Sequence, residues 1–173
     1  MLFMTNTEKL LEIFIKYPTK EFGYRELQRK TKSGSSTIKR ALKMLEKDGL
    51  IKKDKSRNYF FYESSRESRK FKIIKIFYTL NKLNEILENI VKKAHPNCIV
   101  LFGSASKGED AENSDIDLFV QSEKKEIDAS KTEKMLNRKI NFIFEPNIKT
   151  INVELLNNLA NGITLYGFLE VKS

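Results

Sequence analysis

Asp115 and Asp117 lie two residues apart at the head of the apolar run Ile116 to Val120. In a strand, residues i and i+2 point to the same face. The two carboxylates are therefore expected side by side at the mouth of a sheet. Such charges repel unless a cation stands between them. A hard divalent ion such as Mg²⁺ meets that need and is commonly shared with substrate phosphates. A second apolar run, Cys98 to Phe102, ends in Gly103 and Ser104. A small Gly-Ser turn lets backbone N–H groups approach a phosphate closely. The elements that must position this chemistry are two buried strands, each presenting its polar residues at one end.

These residues resemble the signature of the nucleotidyltransferase superfamily, which shares the polymerase-beta-like sheet. Gly103, Ser104, Gly108, Asp115 and Asp117 match its pattern in type and spacing, and Ser114 and Leu118 match the Ser-Asp-x-Asp-Leu form of its minimal members. The resemblance implies that Asp115 and Asp117 hold Mg²⁺ bridging the β- and γ-phosphates of ATP or another nucleoside triphosphate. It implies a nucleotide-binding set of Gly103, Ser104, Lys107, Gly108 and Ser114. An acceptor hydroxyl would then attack the α-phosphate and release pyrophosphate. The tail from Asn161 through Leu165, Tyr166 and Gly167 is similar to the ending of minimal nucleotidyltransferases, so the resemblance covers about residues 80–170.

The chain departs from the pattern at one position. The superfamily carries a third carboxylate on a later strand, where this chain has Asn141 within the run Ile140 to Phe144. An amide adds no negative charge and is a poor base. Asn141 thus takes the third place of the catalytic set with transfer expected to be slow or absent. Glu145 shares its strand parity but lies roughly 13 Å farther along.

Charge separates the two halves. Residues 1–95 hold 23 Lys and Arg against 11 Asp and Glu, a net of +12; residues 96–173 hold 9 against 12, a net of −3. A polyanion partner is expected for the first half. With no apolar run near 18 residues and no signal-peptide pattern, the reading is a soluble cytoplasmic protein without a membrane partner. The one cysteine, Cys98, excludes an internal disulfide, and the one histidine, His95, reads as a loop residue.

In the basic half, residues 5–17 read as a first helix, broken by Pro18 and Gly23, and residues 24–30 as a second. Ser35 or Ser36 is expected to N-cap a third helix. In it Ile38, Ala41, Leu42 and Leu45 recur at i, i+3, i+4 and i+7 and make a buried face. Two short strands, 50–53 and 59–63, follow, joined by a turn over 54–58. The stretch Tyr24 to Ile51 is similar to many prokaryotic winged helix-turn-helix regulators, its close at Leu45 to Lys53 especially. That resemblance implies binding of double-stranded DNA through Ser35, Ser36, Thr37, Lys39, Arg40, Lys43, Lys55 and Arg57, with the helix in the major groove and the hairpin on phosphates.

Residues 64–94 read as one or two linking helices, with apolar positions including Phe71, Ile74, Phe77, Leu83 and Ile90. A helix over 128–138, a strand over 140–144, a helix over 152–159 and an apolar turn over 162–167 complete the pattern. The expected class is α+β: a winged helix-turn-helix domain (1–65), a helical connector (66–94) and a small nucleotidyltransferase-type mixed sheet flanked by helices (95–173). The expected function is a DNA-binding regulator or antitoxin-like protein whose second domain binds nucleotide and Mg²⁺ with little or no catalysis. The alternative is active AMP transfer from ATP to a protein toxin, an RNA or a small molecule. Minimal nucleotidyltransferases often act beside a helical HEPN-type toxin, so the resemblance implies such a partner; a homodimer is a separate expectation that no motif specifies.

Overall fold

Thr5 starts the first helix by a reciprocal cap. Its hydroxyl accepts the Glu8 N–H at 3.2 Å, and the Glu8 carboxylate accepts the Thr5 N–H at 2.6 Å. The computed structural model describes residues 5–56 and 59–170, and the chain divides into two units, Met1–Ile74 and Lys75–Ser173.

The first unit contains α1 (Asn6–Lys16), β1 (Phe22–Gly23), α2 (Tyr24–Thr31), α3 (Ser35–Lys47), β2 (Ile51–Ser56) and β3 (Tyr59–Ser64). The strands form an antiparallel sheet in the order β1-β3-β2. Leu10, Phe14, Phe22, Leu27 and the α3 face of Ile38, Ala41, Leu42 and Leu45 are buried in its core. The rings of Phe14 and Phe22 meet edge to face at 5.5 Å. Neither Ser35 nor Ser36 caps α3. The cap is the extended Gly34, and the Ser35 hydroxyl and carbonyl are both within 2.8 Å of the Tyr24 hydroxyl. The strand β1 was not expected from the sequence, and β2 extends to Ser56, which places Lys55 on a strand rather than in a turn.

Helix α4 (Arg69–Ala94) is continuous for 26 residues and contains the boundary between the units. The second unit continues with β4 (Cys98–Phe102), α5 (Gly103–Ser106), β5 (Ile116–Val120), α6 (Ser130–Leu136), β6 (Ile140–Phe144), a 3₁₀ turn (Ile148–Thr150), α7 (Val153–Ala160) and β7 (Ile163–Gly167). Its sheet runs β6-β5-β4-β7, with β5 and β6 parallel and β4 antiparallel to both neighbours. The expected apolar turn at residues 162–167 is thus an edge strand. Gly162 enters it so close to β4 that a Cβ would lie 2.6 Å from the Leu101 carbonyl oxygen.

Both faces of this sheet are covered, which is why Cys98–Phe102 is buried at every position. Ile99, Leu101, Leu118 and Val120 pack with Leu83, Ile86 and Ile90 of α4. Cys98, Val100, Phe102 and Phe119 pack with Leu159 of α7. Phe77, expected among the packed positions of α4, is exposed. The buried stripe runs instead through Lys75, Thr79, Leu83, Ile86, Ile90 and Ala94. Among the described residues no helix is long and apolar enough to cross a membrane.

Candidate functional site

Three strand ends meet at one edge of the four-stranded sheet: the end of β4 and the starts of β5 and β6. Asp117 is the register partner of Phe102 on one side and of Asn141 on the other. By strand parity it shares a face with Phe119, the face that α7 covers farther along. The Asn141 side-chain amide donates to Asp117 Oδ1 at 3.0 Å. On the β4 side the chain turns at Gly103, whose φ is +70°. A Cβ there would stand 2.8 Å from Asp117 Oδ2. Glycine therefore serves twice, for the left-handed conformation and for the space. Asp117 is half-buried, with one oxygen held by an amide and the other against the Gly103 backbone.

Gly103 and Ser104 do not form an isolated turn but open the single helical turn α5. The Ser106 hydroxyl donates to the Gly103 carbonyl at 2.8 Å, and the Glu109 N–H donates to the Ser104 carbonyl at 2.9 Å. Ser104 is half-buried, Lys107 is exposed and Gly108 is buried with φ +69°. Ser114 closes the next turn: its hydroxyl accepts the Ala111 N–H at 2.9 Å, and its own N–H donates to the Ala111 carbonyl at 3.1 Å. Asp115 follows and is exposed. The β5–β6 ladder begins only at Ile116, whose N–H donates to the Lys139 carbonyl at 2.8 Å. Asp117 alone of the two carboxylates stands on the strand. Asp115 instead lines a pocket of about 430 Å³ with Ser114, Ser130, Glu133 and Lys134.

The loop between α5 and β5 is anchored by a buried charge cluster that the sequence reading missed. Lys75, Asp110 and Arg138 are only 2 %, 3 % and 7 % exposed. The Lys75 ammonium lies 2.9 Å from Asp110 Oδ1 and also donates to the Asp110 carbonyl. Arg138 Nε lies 3.6 Å from Asp110 Oδ2. Three separate segments, α4, the loop and the approach to β6, are tied at one carboxylate. The available signal was helical phase: Lys75 sits in the buried stripe of α4.

In the first unit, Ser35, Ser36, Lys39, Arg40 and Lys43 are exposed on α3, and Thr37 is half-buried. Lys55 is exposed on β2, and Arg57 lies outside the described residues. Lys39 and Lys43 border a groove of about 810 Å³ that reaches Lys53, Tyr24, Phe60 and Tyr62. Burial first, then the neighbouring Glu46 and Tyr24, push the Tyr62 phenol above its ordinary pKa.

A divalent ion suits the donor set at the sheet edge only in part. Among the described residues no group of three or more His, Cys, Asp or Glu side chains is arranged to hold a metal. Two carboxylates can hold Mg²⁺ when phosphate oxygens and water complete its shell; the sheet edge offers half-buried Asp117, with exposed Asp115 two residues before it. The profile of the family described as polymerase beta, nucleotidyltransferase matches residues 81–167, half of the chain. No curated protein and no solved structure matches the chain.

Proposed function

The chain belongs to the polymerase-beta nucleotidyltransferase family, and from that premise we propose that its second unit binds a nucleoside triphosphate with Mg²⁺ at Gly103, Ser104, Asp115 and Asp117. The observation that carries this reading is the fixed carboxylate of Asp117, held between the Asn141 amide and the Gly103 turn. The opening N–H groups of a helical turn lack intrahelical acceptors, which suits phosphate oxygens at Gly103 and Ser104. Bound Mg²⁺ would supply charge neutralisation for the triphosphate. Lys107, Gly108 and Ser114 complete the set by shaping the loop that leads to Asp115.

Asn141 favours binding over catalysis. Its N–H group is directed at Asp117, so this position offers the acceptor hydroxyl no carboxylate to take its proton. We therefore read the unit as a nucleotide sensor with low transfer activity. The basic first unit fits a winged helix-turn-helix that binds duplex DNA, with the exposed cations of α3 supporting it. A regulator or antitoxin-like role beside a HEPN-type toxin rests on the resemblance to minimal nucleotidyltransferases.

Calorimetry of ATP binding with and without Mg²⁺ tests the site. The native chain is expected to bind ATP more tightly with Mg²⁺, and Asp117→Asn to lose that difference. Equal affinity in both conditions for the native chain overturns the reading.

A further inference from the structure

The groove in the first unit has an unusual lining for a surface that only meets a duplex backbone. Lys39 and Lys43 of α3 and Lys53 of β2 line it together with Tyr24, Phe60 and Tyr62, and these cations, with Arg25, outnumber the two carboxylates there, Glu26 and Glu46. Two rings at the start of β3 are open to solvent: Tyr59 is 71 % exposed and Phe60 46 %. The Lys53 ammonium sits 3.9 Å from the centre of the Phe60 ring. That contact orients the ring and sets a cation beside its face. Nothing stands within 4 Å of where a Gly23 Cβ would be, so the groove wall is open there.

Exposed aromatic rings cost hydration, and phosphates alone are satisfied by lysines. Rings and lysines together match a different chemistry, a flat base stacked on an aromatic face with its phosphate on a neighbouring ammonium. The base of a closed duplex offers no free face for that contact. A volume of about 810 Å³ accommodates a nucleotide-sized ligand. Arg40 and Lys47 on α3 and Lys55 on β2, which shares its strand face with Lys53, are further exposed cations of the same unit. A run of phosphates can use such cations, whereas a free mononucleotide has no use for them.

We propose that this groove binds an unpaired nucleotide of a nucleic-acid strand by stacking on Phe60, which shares a strand face with Lys53 and Tyr62, with its phosphates on Lys39, Lys43 and Lys53. The inference rests on the nucleic-acid reading of the first unit and adds that the preferred target has a single-stranded segment.

The test uses the full chain and fluorescence anisotropy at one fixed salt concentration. The ligands are a labelled blunt duplex, the same duplex with a single-stranded overhang, and free AMP. The overhang substrate is expected to bind about tenfold more tightly than the blunt duplex. The Phe60→Ala variant should abolish that advantage and leave blunt-duplex affinity unchanged. The Phe60 ring is 46 % exposed, and circular dichroism of the variant checks that the fold is retained. Equal binding of overhang and blunt duplex overturns the groove assignment while leaving duplex recognition standing. Failure to bind either overturns both. Free AMP competing at the affinity of the overhang would reassign the groove to mononucleotides and overturn the strand proposal.

Discussion

Among the described residues, the first unit keeps its charge outside, and the second buries some of it. Lys39, Arg40, Lys43, Lys47, Lys52, Lys53 and Lys55 are all exposed. Each is solvated, and each contributes a small share to a common field. In the second unit Lys75 and Arg138 are withdrawn from water around Asp110. Removing charge from water is costly, and attraction offsets that cost only when every partner is present. The difference implies two kinds of robustness. The basic face should tolerate the loss of any one cation. The sheet edge should not tolerate the loss of its anchor, because the loop that carries Ser114 and Asp115 hangs from it.

The largest effect is expected from Asp110→Ala. It leaves Lys75 and Arg138 buried without the carboxylate that both approach. The expected cost is about 3–5 kcal/mol of stability, read as a lowered urea midpoint. A Lys75→Met, Asp110→Leu double variant replaces the buried pair with apolar side chains and should recover part of the loss. If Asp110→Ala unfolds at the native midpoint, the cluster is not an anchor.

Gly103→Ala probes the same edge more gently. The new Cβ meets Asp117 Oδ2, and alanine must adopt a φ of +70°. The cost expected from the left-handed conformation is about 1–3 kcal/mol. The same substitution should weaken Mg²⁺-dependent ATP binding, because relief requires Asp117 or the Gly103 turn to move. Unchanged stability and unchanged ATP affinity would show that the turn is not tuned to Asp117.

Much of this edge was legible in the sequence because its signals are local. The runs Cys98–Phe102, Ile116–Val120 and Ile140–Phe144 are strands with the expected bounds, and the α3 face at Ile38, Ala41, Leu42 and Leu45 is buried. What escaped depends on distant partners. Nothing near Lys75 in the sequence marks it as buried, because its partner Asp110 lies 35 residues later and Arg138, which shares that carboxylate, 63 residues later. Strand β7 reads as a turn because Gly162 and Gly167 bracket it and its burial is incomplete. Only pairing with β4 makes it a strand. Phe77 reads as core on apolarity alone, yet the buried phase of α4 passes through Lys75 and Thr79 instead. Ser35 is not the cap because the helix already begins at it, after the extended Gly34, and its hydroxyl lies 2.8 Å from that of Tyr24, 11 residues earlier.

The smallest effect separates the two regions most cleanly. Arg40 is exposed on α3, so Arg40→Ala removes a solvated charge and no packing partner of the core. Surface changes of this kind usually fall within about 0.5 kcal/mol, so the urea midpoint should stay near its native value. Binding to a blunt duplex should nevertheless weaken. If Arg40 neutralises one phosphate, the slope of log K against log salt should fall in magnitude by about 1. The change should be similar for unrelated duplex sequences, because a phosphate contact carries no base information. A loss confined to one sequence would instead place Arg40 on a base edge. A stability loss comparable to that of Asp110→Ala would erase the contrast between a charged face that acts by its sum and a charge cluster that acts by its geometry.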